Sequence, residues 1–222
     1  MTRAPMDARK DGRPSGGEGP GLERLAFARG LKPALRLRLG EGRGEEASAY
    51  WRGRGAYAVA FEGILYVARD PALARELADV EEPIRPDRSP GRLEEDHVER
   101  HRTLGRLLGY PACCVDGFLE RLRRGVTTTR EGRPSTERAV AARDALARSE
   151  RCYGRLNVLL PRREALVPFD PCRFDCEPAL RYATALLEAY GAHDAVAAER
   201  LRERLVVDIV VDDETTIRFS PL

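Results

Sequence analysis

Four of the five cysteines of this chain fall in two short segments, Tyr110-Pro111-Ala112-Cys113-Cys114 and Pro171-Cys172-Arg173-Phe174-Asp175-Cys176. Each segment lies where a helix is expected to begin. If the four thiolates act as one group, the fold has to bring two helix starts to one point. Thiolates clustered this way hold a metal ion or an iron–sulfur cluster, or do redox work.

The local chemistry favours thiolates at both places. Pro111 suits a first helical turn, because its missing N–H would have no partner there. Cys113 and Cys114 then sit among free backbone N–H groups at the positive end of the helix dipole. The same holds for Cys176, with Asp175 as a candidate cap and Pro178 tolerated just inside the helix. Neighbouring residues diverge by about 100° around a helix, which suits two irons of a cluster better than one small ion. A bridge between Cys113 and Cys114 would need a strained ring. Zinc sites commonly use Cys-x-x-Cys knuckles, which neither segment has, so an iron–sulfur cluster is expected ahead of zinc. Reactive dithiols, or four buried cysteines acting as small hydrophobes, are the other readings. Gly117, one turn after Cys113, leaves room either for an inorganic group or for a packing contact.

Composition sets the remaining bounds. A chain of 222 residues can bury a proper core without disulfides. Lys+Arg is 38 against Asp+Glu 36, and acids interleave the arginines, so no nucleic-acid partner is expected. No stretch of apolar residues is long enough for a membrane span, and the first residues lack the apolar core of a signal peptide. A cytoplasmic protein is expected, and the odd cysteine count argues against a complete disulfide framework there.

Along the chain, residues 1–20 are rich in Gly, Pro, Arg and Asp without periodicity and read as a disordered tail. Residues 21–80 read as an N-terminal α/β part. It holds a short helix over Leu22–Gly30, an alternating strand over Ala34–Leu39, and a charged loop over Gly40–Glu46. A hairpin follows, Tyr57–Phe61 and Ile64–Val67 around Glu62-Gly63, and then a helix opened by Pro71 and capped by Asp70. Residues 81–91, with three prolines, read as a linker. Residues 92–222 read as a helical, cysteine-rich part. Its helices are expected near Leu93–Leu108, Ala112–Arg124, Ser135–Arg151, Glu177–Tyr190 and 194–204. A second hairpin is expected from Leu205–Val211 and Thr215–Phe219. The expected class is α+β, a small and mostly antiparallel sheet formed by the N- and C-terminal hairpins with a helical section carrying the cysteines.

Outside the four cysteines, two histidines carry chemical interest. His97 and His101 share an apolar stripe with Leu93, Leu104 and Leu108 on the helix that leads into Pro111. Of the two, His101 is nearer the cysteines, so it is the candidate catalytic proton donor or alternate ligand, with a satisfied core histidine as the bland account. Cys152, alone in Arg151-Cys152-Tyr153-Gly154, reads as a structural cysteine, and Asp116 and Asp175 as caps or supporting groups. No Gly-rich phosphate loop, Ser-His-Asp order or Cys-x-x-x-Cys-x-x-Cys motif is present.

At these residues the chain resembles a prokaryotic family known as domain of unknown function 483, over roughly residues 97–190. The resemblance rests on His101-Arg102, Leu104-Gly105, Leu108-Gly109-Tyr110-Pro111, Cys113-Cys114, Phe118, and Pro171-Cys172 with Cys176. It implies a shared cysteine site and brings no activity with it. The vicinal cysteines with a second pair are also similar to the cluster-binding set of the epoxyqueuosine reductase family with two adjacent cysteines, at the level of the site alone. The expected function is an iron–sulfur protein with redox or sulfur-transfer chemistry on a small-molecule or protein substrate, ligated by Cys113, Cys114, Cys172 and Cys176. The alternative is a zinc-stabilised, non-catalytic binding or accessory module.

Overall fold

A computed structural model describes residues 21–40, 42–81, 95–124, 136–160, 164–211 and 215–221. The expected tail, and all of the expected linker except Glu81, lie outside the described residues. In chain order the elements are α1 (Gly21–Ala28), β1 (Ala34–Arg38), α2 (Gly44–Arg52), β2 (Tyr57–Phe61), β3 (Ile64–Ala68), α3 (Pro71–Glu81), α4 (Glu95–Leu107), α5 (Ala112–Arg123), α6 (Thr136–Ala147), α7 (Glu177–His193), α8 (Ala195–Leu205), β4 (Ile209–Val210) and β5 (Thr216–Ile217). The class is α+β.

Strand β3 is the centre of an antiparallel sheet ordered β1-β3-β2. The β2–β3 turn places Glu62 and Gly63 at φ 40° and 75°, the two positive values that a tight hairpin needs and that glycine adopts most readily. Every residue of β3 is buried, because helices cover both faces. Leu35, Leu37, Leu65 and Val67 pack with Phe27 and Trp51 on one side. Ala34, Ile64, Tyr66 and Ala68 pack with Leu77, Leu104 and Leu108 on the other. Helix α3 begins as expected, with Asp70 Oδ1 accepting from the Ala72 amide at 2.8 Å.

A second core lies among the helices, where residues of α5, α6, α7 and α8 meet Phe174, Ile217 and Phe219. Leu22 and Ala26 of α1 also enter this core, while Phe27 enters the sheet's. Helix α1 therefore joins the two halves.

Three expectations change. The segment 44–52, whose first residues read as loop, is helix α2; no side-chain bond caps it, and burial of Ala47 and Trp51 holds it in place. The two hairpins form two separate sheets rather than one. The C-terminal strands are two residues each, because Leu205 is still helical and buried at the end of α8. Among the described residues, no helix is long and apolar enough to cross a membrane.

Candidate metal centre

Helix α4 ends where Gly109 takes φ 76°, with the Tyr110 amide donating to the Gly105 carbonyl at 2.9 Å and the Gly109 amide to Arg106. This glycine-terminated helix end turns the chain sharply. A side chain at Gly109 would also meet Pro33 at 2.5 Å, so the entry to β1 packs directly on the turn. Tyr110 is further held by the Lys32 ammonium, 5.1 Å from its ring centroid. Pro111 is the N-cap of α5 rather than a residue of its first turn, and its carbonyl accepts from the amides of Cys114 and Val115. Cys113 and Cys114 follow within the first turn.

The second segment is irregular until Cys176, which is the N-cap of α7. Asp175 does not cap that helix. Its carboxylate accepts from the Glu150 amide at 2.9 Å and the Arg151 amide at 3.4 Å. Ser149 Oγ accepts from the Phe174 amide at 2.7 Å, and the Tyr153 amide donates to the Phe174 carbonyl. The loop is thus laced to residues 149–153.

One face of α5 receives this loop. Gly117 has no side chain because the Cys172 Cβ would lie 3.1 Å from it, so the space belongs to the second cysteine segment rather than to an inorganic group. One turn on, buried Arg121 pairs with Asp170 at 3.4 Å. The i, i+4 spacing of Cys113, Gly117 and Arg121 was a readable signal for this face, and Arg121 escaped the sequence reading.

The outcome is a group of four cysteines, Cys113, Cys114, Cys172 and Cys176, whose sulfurs all lie within 4.8 Å of one another. Cys176 Sγ is 3.5 Å from Cys113 Sγ and 3.7 Å from Cys114 Sγ. Cys114 and Cys176 are buried, Cys172 is half-buried and Cys113 is exposed. Hydrogen bonds from Cys114 and then Cys176 hold Cys172 far below the ordinary thiol range, at about 4. Bonding to Cys172 and Cys176, together with burial, pushes Cys114 up. Without a cation the group must therefore share protons, because four thiolates this close repel one another. A cation replaces those protons, and such a group can hold a metal ion. Cys152 stands apart, with its backbone carbonyl accepting from the Ser220 amide.

Beside the centre is a cavity of about 450 Å³, to whose lining Cys114 and His101 both contribute, with Arg36, Arg38 and Glu81 at one end. His97 is not part of that lining. Its Nε2 lies 3.2 Å from His101 Nε2. Burial, then the neighbouring His97, lowers the His101 pKa to about 4. Arg36 donates from Nε to Glu81 Oε2 at 2.9 Å and from its second nitrogen to Oε1, a two-pronged pair whose acid is only 3% exposed.

A family model described as a protein of unknown function (DUF483) matches residues 76–206. The chain belongs to the DUF483 family. No curated protein and no solved structure matches it. In this DUF483 chain the matched span begins inside α3 and ends just after α8, wider than the stretch from His97 to Tyr190. It contains all four clustered cysteines, both histidines of α4, and Glu81. It omits Arg36 and Arg38, which also line the cavity. Asp116, expected as a supporting group, instead pairs with Arg102 and ties α5 to α4.

Proposed function

We propose that this protein is a metal-stabilised binding module in which Cys113, Cys114, Cys172 and Cys176 hold one tetrahedral ion, zinc being the ion that fits an all-sulfur donor set without needing redox chemistry. The observation that carries this reading is the spread of the sulfurs. Metal–sulfur bonds of about 2.3 Å in a tetrahedron put sulfurs about 3.8 Å apart, whereas corners of an iron–sulfur cube put them at roughly 6–7 Å. A spread of no more than 4.8 Å supports the single ion and weighs against a cluster. When bound, the ion would offset two of the four thiolate charges and lock the start of α5 to the loop before α7.

Metal analysis of protein purified without oxygen tests this. One zinc per chain, and intense visible bands after cobalt substitution, are the expected results. Brown protein carrying several irons and acid-labile sulfide per chain would replace the single-ion reading with the cluster.

A second reading, thiolate chemistry at the centre, is favoured by one feature: Cys114 and His101 line the same cavity. There His101 would act as a neutral imidazole, donating or accepting a hydrogen bond at pH 7 rather than carrying charge. The folded state binds the proton at about 4, below the ordinary imidazole value of 6.5, so the unfolded chain protonates first and stability drains away as pH falls between those values. His97 on α4, Glu81 on α3 and Arg36 on β1 are the charged or titratable groups acting on it. Between about pH 7 and 5 the His101→Gln variant should therefore lose less melting temperature than the parent, since thiolate protonation acts on both alike. An identical acid response in the two proteins would show that His101 is not held neutral by the fold.

A further inference from the structure

We propose that the cavity beside the thiolate centre binds a small organic anion with a flat ring body, its negative group held by Arg38. The inference starts with strand alternation. Leu35 and Leu37 of β1 point into the sheet's outer core, which turns Arg36 and Arg38 to the opposite face and into the cavity. Half-buried Arg36 lies on a face otherwise made of Ala34, Ile64, Tyr66 and Ala68, where a guanidinium is costly unless it finds a partner.

Arg36 has one, in Glu81. Arg38 does not: among the described residues no acid pairs with it. The cavity's other carboxylate, Asp170, is engaged by Arg121 from outside the lining. Among the described residues, Arg38 is thus the charged side chain of the lining with no ion-pair partner. A guanidinium is the group that grips carboxylate or phosphate through two parallel hydrogen bonds.

The rest of the wall describes the rest of the ligand. Tyr110, Phe118 and Phe169 supply aromatic surface, with the Tyr110 and Phe169 rings 5.0 Å apart and Phe118 against His101 at 5.6 Å. Leu104, Leu108 and Val158 complete an apolar floor. His101, Glu81 and the Cys114 thiol add polar groups enough to orient one edge of a ring. A volume of about 450 Å³ lies within the range of cavities that enclose small molecules. Arg38 itself is exposed at the rim, where an entering anion would meet it first.

The probe is 8-anilinonaphthalene-1-sulfonate, an aromatic body with one negative group, compared with its neutral counterpart N-phenyl-1-naphthylamine, on the full metal-loaded chain. The sulfonate should bind one per chain, at least about tenfold tighter than the neutral dye. Arg38→Gln should remove that advantage and leave the neutral dye within about twofold, whereas Arg54→Gln, an arginine stacked on Tyr50 elsewhere, should change neither. Competition by benzoate and by phenyl phosphate then tells a carboxylate ligand from a phosphate one, by which displaces the dye at lower concentration. Equal weakening by both arginine variants, no preference for the sulfonate, or displacement as good by benzyl alcohol as by either anion would overturn the proposal. Metal content measured on each variant keeps the two readings apart. Lost dye binding with metal intact bears on the cavity alone, and lost metal with dye binding intact bears on the thiolate site alone.

Discussion

Cys113 and Cys114 ride in the first turn of a helix, so their backbone angles are set by α5 itself and by the proline in front of it. Cys172 and Cys176 bracket a stretch with no repeating hydrogen bonds. Ser149, the amides of Glu150 and Arg151, and the burial of Phe174 against Phe219 set its shape instead. The first pair is placed by local rules and the second by partners distant in sequence. A metal ion joining them would therefore do different work on each side. It would add little order to the helix and a great deal to the loop, whose conformation otherwise rests on a few tethers.

The largest effect should come from buried Cys176, whose sulfur lies within 3.7 Å of those of both Cys113 and Cys114. Structural zinc in small sites supplies roughly 10–16 kcal/mol of apparent binding free energy. Losing a buried soft ligand takes away much of that. Cys176→Ser should leave the protein metal-free and lower its melting temperature by about 10 °C or more. Exposed Cys113 should tolerate serine better, with metal weakened rather than lost. Equal loss from the two variants would erase the distinction between the segments.

Next is a matched pair of core truncations. Phe174→Ala and Leu119→Ala both empty fully buried sites, and each should cost about 3–5 kcal/mol. Only the first should also release metal, because it frees the loop, whereas α5 keeps its cysteines in place. Metal retention at matched destabilisation is the reading to take. Identical retention would show that the loop is no more dependent on its anchors than the helix is.

Gly117→Ala asks how closely the two segments must meet. A new Cβ would lie 3.1 Å from that of Cys172, tight enough to cost about 1–2 kcal/mol, set against a gain of up to about 1 kcal/mol in helix propensity. Metal affinity should fall more than stability does. An unchanged affinity would mean the loop can retreat freely. The smallest effect belongs to Cys152→Ser, expected within about 0.5 kcal/mol and with metal unaltered. Metal loss there would give the centre a ligand it is not built around.

What could be read in the sequence followed this same division. The helix starts at Pro111 and Pro178 and the Glu62-Gly63 hairpin obey short-range rules, and the convergence of the four cysteines followed from two of those starts sharing one chemistry. Helix α2 was missed because its stability comes from burying Trp51 rather than from a cap or a clean period. The run Leu205–Val211 looked like one strand because apolar residues ending a helix and beginning a strand are indistinguishable by hydrophobicity. The Arg36–Glu81 pair was out of reach, since a strand and the last turn of a later helix meet only after the sheet has docked on α3 and α4. The grouping of adjacent Cys113 and Cys114 around one partner sulfur is not what helical periodicity alone suggests. The divergence of neighbours around a helix is tempered when Cys176 sits between them, within reach of both.

That docking bears on how the family should be delimited. A chain cut to the matched residues 76–206 would retain Glu81 deep in the fold with its arginine gone. It would strip Pro33 from the glycine turn that aims the first cysteine pair, and remove Leu22 and Ala26 from the core they share with α7. At the other end it would delete Phe219, against which the loop residue Phe174 packs. The stretch that homology recognises is thus narrower than the stretch that folds. The residues that complete the cavity and anchor the cysteine loop in this chain therefore come in part from outside the matched span.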